Sequence, residues 1–530
     1  AVACSCSYCT GAVVAHGGIM SHAVRIIVFL LTLVSFATLG ASELKVFKAT
    51  SDVPHAITIY DHGLASLYAR LKMIERAKES IDIEYFIYDT SPSSRIFNQA
   101  LVKKAKEGVK VRVLLDYFLI IPEIDVYHSL QLERAGIEVK YYNIESMAKF
   151  IKFQYRSHRK LLSIDGKEAI TGGRNIADEY FDLSDKFNFI DKDIYINGPL
   201  VRAMEETFEI FWADKLSEKL DLTKYRHLIA DDTKWIQGKL DEDGRDTSYF
   251  KEVASQDKVL DRHYKILKGS LQKEQAKLDK ARAFLVESDE DRKLLAEIEE
   301  LGGREAALSP AGQCSNLIFT ADYPGWGRQY RQTKGMRGVV NQYMGAIKEE
   351  LTIDSPYFIP DKESQAVLKD VLKAGKKVSV LTNSLYSTDA IYVNAVFNSI
   401  ISSWMKKGLK PYIFEGKIPE NYPVVNAGIG KARFGTHVKA FVFDRDSFMV
   451  GTYNLDPRST KYNAEMGIFC FGEPELAQAM RAEYAHKLKG TIYLESRKTL
   501  RKHKFDNITF AKKVVYYLIK PFAMLFQSAL

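Results

Sequence analysis

One motif occurs twice, and it constrains the fold more than any other feature. His158-Arg159-Lys160-Leu161-Leu162-Ser163-Ile164-Asp165 is followed by Gly172-Gly173-Arg174-Asn175. His437-Val438-Lys439-Ala440-Phe441-Val442-Phe443-Asp444 is followed by Gly451-Thr452-Tyr453-Asn454. Both read H-x-K-x4-D, then six residues, then G-[GT]-x-N. The chain has 11 histidines in 530 residues. One chance H-x-K-x4-D match is expected in roughly one such chain in twenty, and a matched pair far more rarely. The chain therefore reads as a duplication.

The flanking elements repeat with the motif. Ser80 to Asp89 alternates and is aromatic-rich, which predicts a strand. A helix follows from about Ser94 to Glu107, closed by Gly108, and then a β-branched strand from Val109 to Asp116. In the second half a strand within Leu351–Asp361, a helix from Ser364 to Lys373 and a strand from Lys377 to Thr382 keep the same order. Strand–helix–strand in both copies predicts an α/β fold with mostly parallel sheets. The copies lie about 270 residues apart, too far for a solenoid repeat. Two fused α/β domains related by pseudo-twofold symmetry are expected, over residues 43–230 and 314–496.

Three segments stand outside the duplication. Residues 1–42 hold Cys4, Cys6 and Cys9, and an uncharged apolar run from Ile26 to Ala41. That run is short for a membrane span. It fits a signal peptide starting at Met20 or an uncleaved anchor. The three cysteines read as an unstructured tail or as S-acylation sites beside a membrane segment. Residues 231–313 are charged, and Asp257 to Leu301 is rich in Lys, Glu, Leu and Ala, so a solvated helical insertion is expected. Residues 497–530 open with Arg497, Lys498, Arg501, Lys502 and Lys504 and end in an apolar, aromatic stretch. They read as a membrane-associating segment or as a terminal helix docked on the core.

Composition adds limits. At 46% hydrophobic residues the chain can bury a core, which excludes global disorder. Five cysteines exclude a disulfide scaffold. The net charge of +8 suits an anionic partner such as phospholipid or nucleic acid.

The motif spacing has a chemical meaning. Each apolar run predicts a strand, and residues i and i+2 of a strand face the same way. His158 and Lys160 then share a side, as do His437 and Lys439, with Asn175 and Asn454 on nearby turns. Packed about a twofold axis, two His, two Lys and two Asn form one cationic pocket. Lys and Asn can hold the non-bridging oxygens of a phosphodiester. One His can attack phosphorus while the other protonates the leaving oxygen. Neither step calls for a metal or a cofactor.

The pair of motifs resembles the phospholipase D superfamily, whose signature is a duplicated H-x-K-x4-D. The resemblance runs from about Ile81 to Leu488. It is strongest in Ser157–Lys160, Thr171–Phe181, Asp354–Phe358 and Gly451–Ser459, which look like bacterial phospholipases D and C-type cardiolipin synthases. It implies a covalent phosphohistidine resolved by water or by an alcohol. It places Asp165 and Asp444 with the catalytic motif residues, although such aspartates are often structural. It also implies a separate acid orienting each catalytic His. Glu465 fits that position for His437, and Asp191, ahead of Asp193, fits it for His158. His158 is read as the nucleophile.

The expected function is a phospholipase D releasing phosphatidic acid. The alternative is a cardiolipin synthase that passes the same intermediate to phosphatidylglycerol. A superfamily nuclease ranks lower, because apolar segments at both ends favour a membrane substrate over nucleic acid. A catalytically dead lipid-binding module ranks lowest, since both motifs are intact. With both motifs on one chain a monomer is expected, membrane-associated in a bacterial envelope or secreted to act on membranes.

Overall fold

The computed structural model describes residues 46–117, 124–145, 149–220, 276–333 and 335–525. Cys4, Cys6, Cys9, the 26–41 run, most of the charged region and the last five residues lie outside the described residues.

Two nine-stranded sheets carry the molecule. Strand β1 (Phe47–Ser51) comes first, then β2 (His55–Tyr60) and helix α1 (Gly63–Arg76). The first βαβ unit follows as β3 (Ser80–Tyr85), α2 (Pro92–Lys106) and β4 (Lys110–Asp116). Pro92 starts α2, where its missing N–H costs nothing, and Gly108 at φ 91° ends the turn after it. Next are β5 (Ile137–Tyr142), β6 (Leu161–Ile164), β7 (Glu168–Gly172), β8 (Phe187–Ile190), β9 (Asp193–Asn197) and β10 (Ser217–Glu218).

After the charged region come α3 (Asp289–Glu297), β11 (Ala311–Cys314), β12 (Leu317–Ala321) and β13 (Glu350–Asp354). Helix α4 (Lys362–Lys373), β14 (Lys377–Asn383), α5 (Ile391–Met405), β15 (Lys410–Phe414) and β16 (Arg433–Thr436) repeat the first plan. The chain continues through β17 (Ala440–Phe443), β18 (Ser447–Gly451), β19 (Met466–Cys470), α6 (Pro474–Leu488) and β20 (Thr491–Tyr493). Helices α7 (Arg497–His503) and α8 (Phe510–Leu525) complete it.

The sheet orders are β10-β5-β4-β3-β6-β7-β9-β2-β11 and β1-β12-β19-β18-β17-β13-β14-β15-β20. The expected mostly parallel sheets are not found. Within these two sheets only β3-β4-β5 and β13-β14-β15 pair in parallel and the remaining neighbours are antiparallel, while β8 and β16, one from each half, form a separate parallel pair. The physical reason is connection length. Parallel neighbours need a crossover helix, which each half supplies only around these strands, whereas the motif strands β6-β7 and β17-β18 are joined by tight hairpins.

The predicted division at 230 and 314 is crossed by two strands. β1 lies in the second sheet beside β12, and β11 closes the first sheet beside β2. A disulfide between Cys314 of β11 and Cys470 of β19 ties the two sheets together. One apolar cluster also spans them, joining Leu161, Ala169 and Ile194 to Val438, Ala440 and Met466.

The described end of the charged region is helical with a solvated outer face, and its inner face docks on the core. Residues 289–308 form one helical run with a π-helical turn at Ile298–Gly302, packed on α1. A Cβ on Gly302 would lie 2.7 Å from the Leu64 carbonyl, so the close helix contact requires glycine. Asp291 is buried against Arg95 at 2.6 Å.

Candidate active site

Both motif histidines stand just before a strand and just after a contact with the other half. The His158 N–H donates to the Ala464 carbonyl at 3.0 Å, and the His437 N–H donates to the Ile190 carbonyl at 2.8 Å. Each of those carbonyls belongs to the residue preceding an acid. The backbone bond therefore delivers Glu465 to the His158 ring and Asp191 to the His437 ring. His158 Nδ1 lies 3.0 Å from Glu465 Oε2, and His437 Nδ1 lies 2.7 Å from Asp191 Oδ2. This corrects the expected pairing of Glu465 with His437 and Asp191 with His158. Each acid serves the histidine of the opposite half. Asp193 is occupied elsewhere, with Arg70 at 3.0 Å and Arg174 at 3.2 Å.

The two lysines and histidines lie near enough for their charges to act on one another. Lys160 and Lys439 are fully buried, and each donates to the carbonyl of its own histidine, at 2.8 and 2.6 Å. Burial, with the charge of Lys439 behind it, pushes Lys160 down to about 7. Lys439 is lowered too, by burial, while Asp191 and Glu465 work against the shift. Burial and the charges of Lys160, Lys439 and His437 hold His158 well below the usual histidine range. Burial and Lys439 also lower His437, but the Asp191 carboxylate opposes them.

The asparagines sit where the motif places them, both buried. Asn175 Oδ1 accepts the Ile87 N–H at 3.1 Å, which fixes the segment leaving β3. The Asn454 Oδ1 has no partner among the described residues. The predicted strand to Asp89 stops at Tyr85 because this segment turns away to wall the site. Phe86 then stands edge-on to His158 at 5.1 Å, and Tyr180 and Phe189 flank His437 at 5.3 and 4.9 Å.

Asp165 and Asp444, grouped with the catalytic residues by the motif, do not face the pocket. Both sit at positive φ, 53° and 54°, in the hairpin turns after β6 and β17. Asp165 accepts the N–H groups of Lys78, Glu79 and Ser80, and Asp444 those of Lys348, Glu349 and Glu350. They anchor the starts of β3 and β13. Burial raises each carboxyl, but the three N–H bonds outweigh it and hold both below the usual range.

Sequence reasoning gave no role to several residues that hold the site. Thr452 and Ser459 donate their hydroxyls to Glu465, Ser459 at 2.6 Å. Gly173 occupies the place of Thr452 in the first half, and a Cβ there would lie 2.1 Å from Asp191 Oδ1. Glu84 and Asp354 pair with the first residues of the motif strands, Leu161 and Ala440. Glu84 accepts the Ser157 hydroxyl at 2.7 Å and pairs with Arg159 at 3.0 Å. Asp354 accepts the Thr436 hydroxyl at 3.3 Å and pairs with Lys487. A repeated hydroxyl-acid pair thus fixes the residue before each histidine, a repeat that lining up the two halves around the motif would reveal.

The chain matches known proteins along most of its length. A family model described as cardiolipin synthase, phospholipase D-like domain, matches residues 71–212 and 340–488. Cardiolipin synthase C of Escherichia coli is 27% identical over 432 residues, covering 79% of this chain and 81% of that protein. The major cardiolipin synthase of Bacillus subtilis is 23% identical over 79% of this chain and 66% of its own. The crystal structure of phosphatidylserine synthase from Haemophilus influenzae superposes with a TM-score of 0.56 at 13% identity, covering 89% of this chain and 95% of that one. With both motif halves matched, the chain belongs to the phospholipase D-like family and is an enzyme of that superfamily.

Proposed function

We propose that this enzyme is a phosphatidyltransferase of the cardiolipin synthase kind, using phosphatidylglycerol as both donor and acceptor. The observation that carries transfer is the match to cardiolipin synthases over both motif halves, and the two histidines over two buried lysines support the shared phosphohistidine chemistry. Each Nδ1 is directed at a carboxylate, that of His437 with the Lys439 Nζ also 3.0 Å away, so Nε2 is the reacting nitrogen. His158, kept neutral, attacks phosphorus and forms a P–N bond. The P–O bond to the head-group glycerol breaks, and His437, whose imidazolium Asp191 supports against burial and Lys439, gives its proton to the leaving oxygen. The hydroxyl of a second phosphatidylglycerol then loses its proton to His437 and attacks phosphorus. The P–N bond breaks and both histidines return to their starting states. Lys160, Lys439 and the Asn amides hold the non-bridging oxygens throughout.

The hydrolytic reading now ranks second to transfer. The relative from Escherichia coli, matched over 81% of its length, carries the name of a synthase. His158 and His437 are each only 6% exposed, so water meets the intermediate under the same restriction as a lipid-borne alcohol. The test is mass spectrometry of the lipids formed by purified full-length enzyme from phosphatidylglycerol vesicles. Transfer gives cardiolipin and one glycerol for each cardiolipin. Phosphatidic acid as the main product would overturn the assignment and restore a phospholipase D.

A further inference from the structure

Helix α8 is half docked and half bare. Its inner face places Tyr516 and Ala523 in a cluster with Ala390, Val393 and Val396 at the start of α5. Its outer face leaves Phe510, Val514, Leu518, Phe522 and Leu525 exposed, at 82, 41, 65, 66 and 74%. These residues recur at helical spacing and form one stripe. Seven of the fifteen exposed large apolar side chains among the described residues lie on this single helix. A soluble surface does not concentrate apolar groups in this way without an occupant.

The charge around the stripe says what the occupant is. From Arg497 to Leu525 the chain carries eight Lys or Arg and one acid, Asp506. Arg497, Lys498, Arg501, Lys502 and Lys513 are exposed. An apolar helical face bordered by cations matches an anionic bilayer surface, with side chains in the acyl boundary and ammonium groups among the phosphates. No helix among the described residues is long and apolar enough to cross a membrane. With 16 described residues and three lysines, α8 fits a position along the surface.

Its place in the fold gives the contact a use. Lys512 of α8 donates to the Tyr386 carbonyl at 3.5 Å and feels the charges of Arg433 and Asp389. Arg433 opens β16, the strand leading to His437, and the charge of Asp389 also acts on His437 and Lys439. We infer that α7 and α8 form a docking surface for anionic phospholipid bilayers, seating the membrane beside the His437 side of the catalytic pocket. This rests on the reading that the substrate is a membrane lipid.

The test uses the full-length enzyme and two vesicle types, phosphatidylcholine alone and phosphatidylcholine with one-fifth phosphatidylglycerol. Leu518→Trp supplies a local probe, read as the emission difference from wild type. Contact predicts a blue shift and quenching by acyl-brominated lipid, confined to the phosphatidylglycerol vesicles. Leu518→Asp/Phe522→Asp should weaken partitioning to them by about tenfold or more. Transfer activity on a short-chain phosphatidylglycerol below its micelle concentration should stay unchanged, and unchanged circular dichroism excludes misfolding. An unquenched probe overturns the surface, as does equal binding to both vesicles. So does a wild-type dimer dispersed by the double variant, which would make the occupant a second copy. Loss of lipid transfer by wild-type enzyme that still docks would instead refute the proposed reaction.

Discussion

The half-site around His158 and the half-site around His437 share a backbone plan and differ in how their acids are held. In both, the histidine N–H bonds the carbonyl preceding the acid of the opposite half. At His158 that acid is Glu465, whose oxygens also accept the Thr452 and Ser459 hydroxyls. At His437 it is the shorter Asp191, which is crowded against Gly173 and accepts the Lys192 N–H at 2.8 Å in place of two hydroxyls. Two added donors share the charge of Glu465, so less of it favours a proton on His158. Asp191 gives more of its charge to His437. A duplicated motif thus acquires two chemical roles through its partners, while the motif itself stays the same.

The largest expected effect is loss of either histidine. His158→Ala and His437→Ala should each lower turnover by about ten-thousandfold with an intact fold, and the double variant should lose little more. A single variant with near-normal steady-state rate would break the two-half account. Next come the acids, where Glu465→Gln and Asp191→Asn should each cost between about a hundredfold and ten-thousandfold. Their pH profiles separate the halves. A carboxylate raises the pKa of the imidazolium it holds, so its loss lowers that pKa. Asp191→Asn should move the alkaline limb of kcat to lower pH, because His437 must start protonated. Glu465→Gln should move the acid limb to lower pH, because His158 must start neutral. Exchanged limbs would mean that the acids serve their own halves.

Stability effects are smaller. Cys314→Ser removes the tie between β11 and β19 and should cost about 2–4 kcal/mol in urea unfolding. An unchanged midpoint would show that packing alone joins the sheets. Asp165→Ala, which strips three N–H groups of their acceptor, should cost about 1–2 kcal/mol and leave kcat within a few-fold of wild type. Because its carboxyl is held below the usual range in the fold, its stabilisation is present above the ordinary aspartate pKa. It should disappear as the pH falls through the folded value. A collapse of kcat in the folded variant would return Asp165 to the catalytic set.

The sequence made the local chemistry readable and the docking of the halves unreadable. His158, Lys160, His437 and Lys439 announce themselves because a strand with i, i+2 side chains carries their relation within three residues. Glu465 and Asp191 are legible as acids, but local reading pairs each within its own half. That pairing is decided by the β8–β16 contact and the Ser157–Ala464 bridge, which join residues more than 240 positions apart and have no local signal. The exchange of β1 and β11 between sheets escaped for the same reason. So did the Cys314–Cys470 bridge, since cysteine spacing in a cysteine-poor chain names no partner. The motif aspartates misled in a different way. Regular spacing from a catalytic histidine marks a turn post as readily as a reacting group, and only the three N–H bonds at Asp165 and Asp444 tell them apart.

The central claim is that unlike acid support makes His158 the nucleophile and His437 the proton carrier. Trapping the intermediate tests it directly. Enzyme mixed with phosphatidylglycerol labelled at phosphorus can be quenched in alkali, which preserves phosphohistidine, then digested and its labelled peptides sequenced. The account predicts label on the peptide containing His158, and none of it on the peptide containing His437. Label confined to the His437 peptide would contradict the assignment.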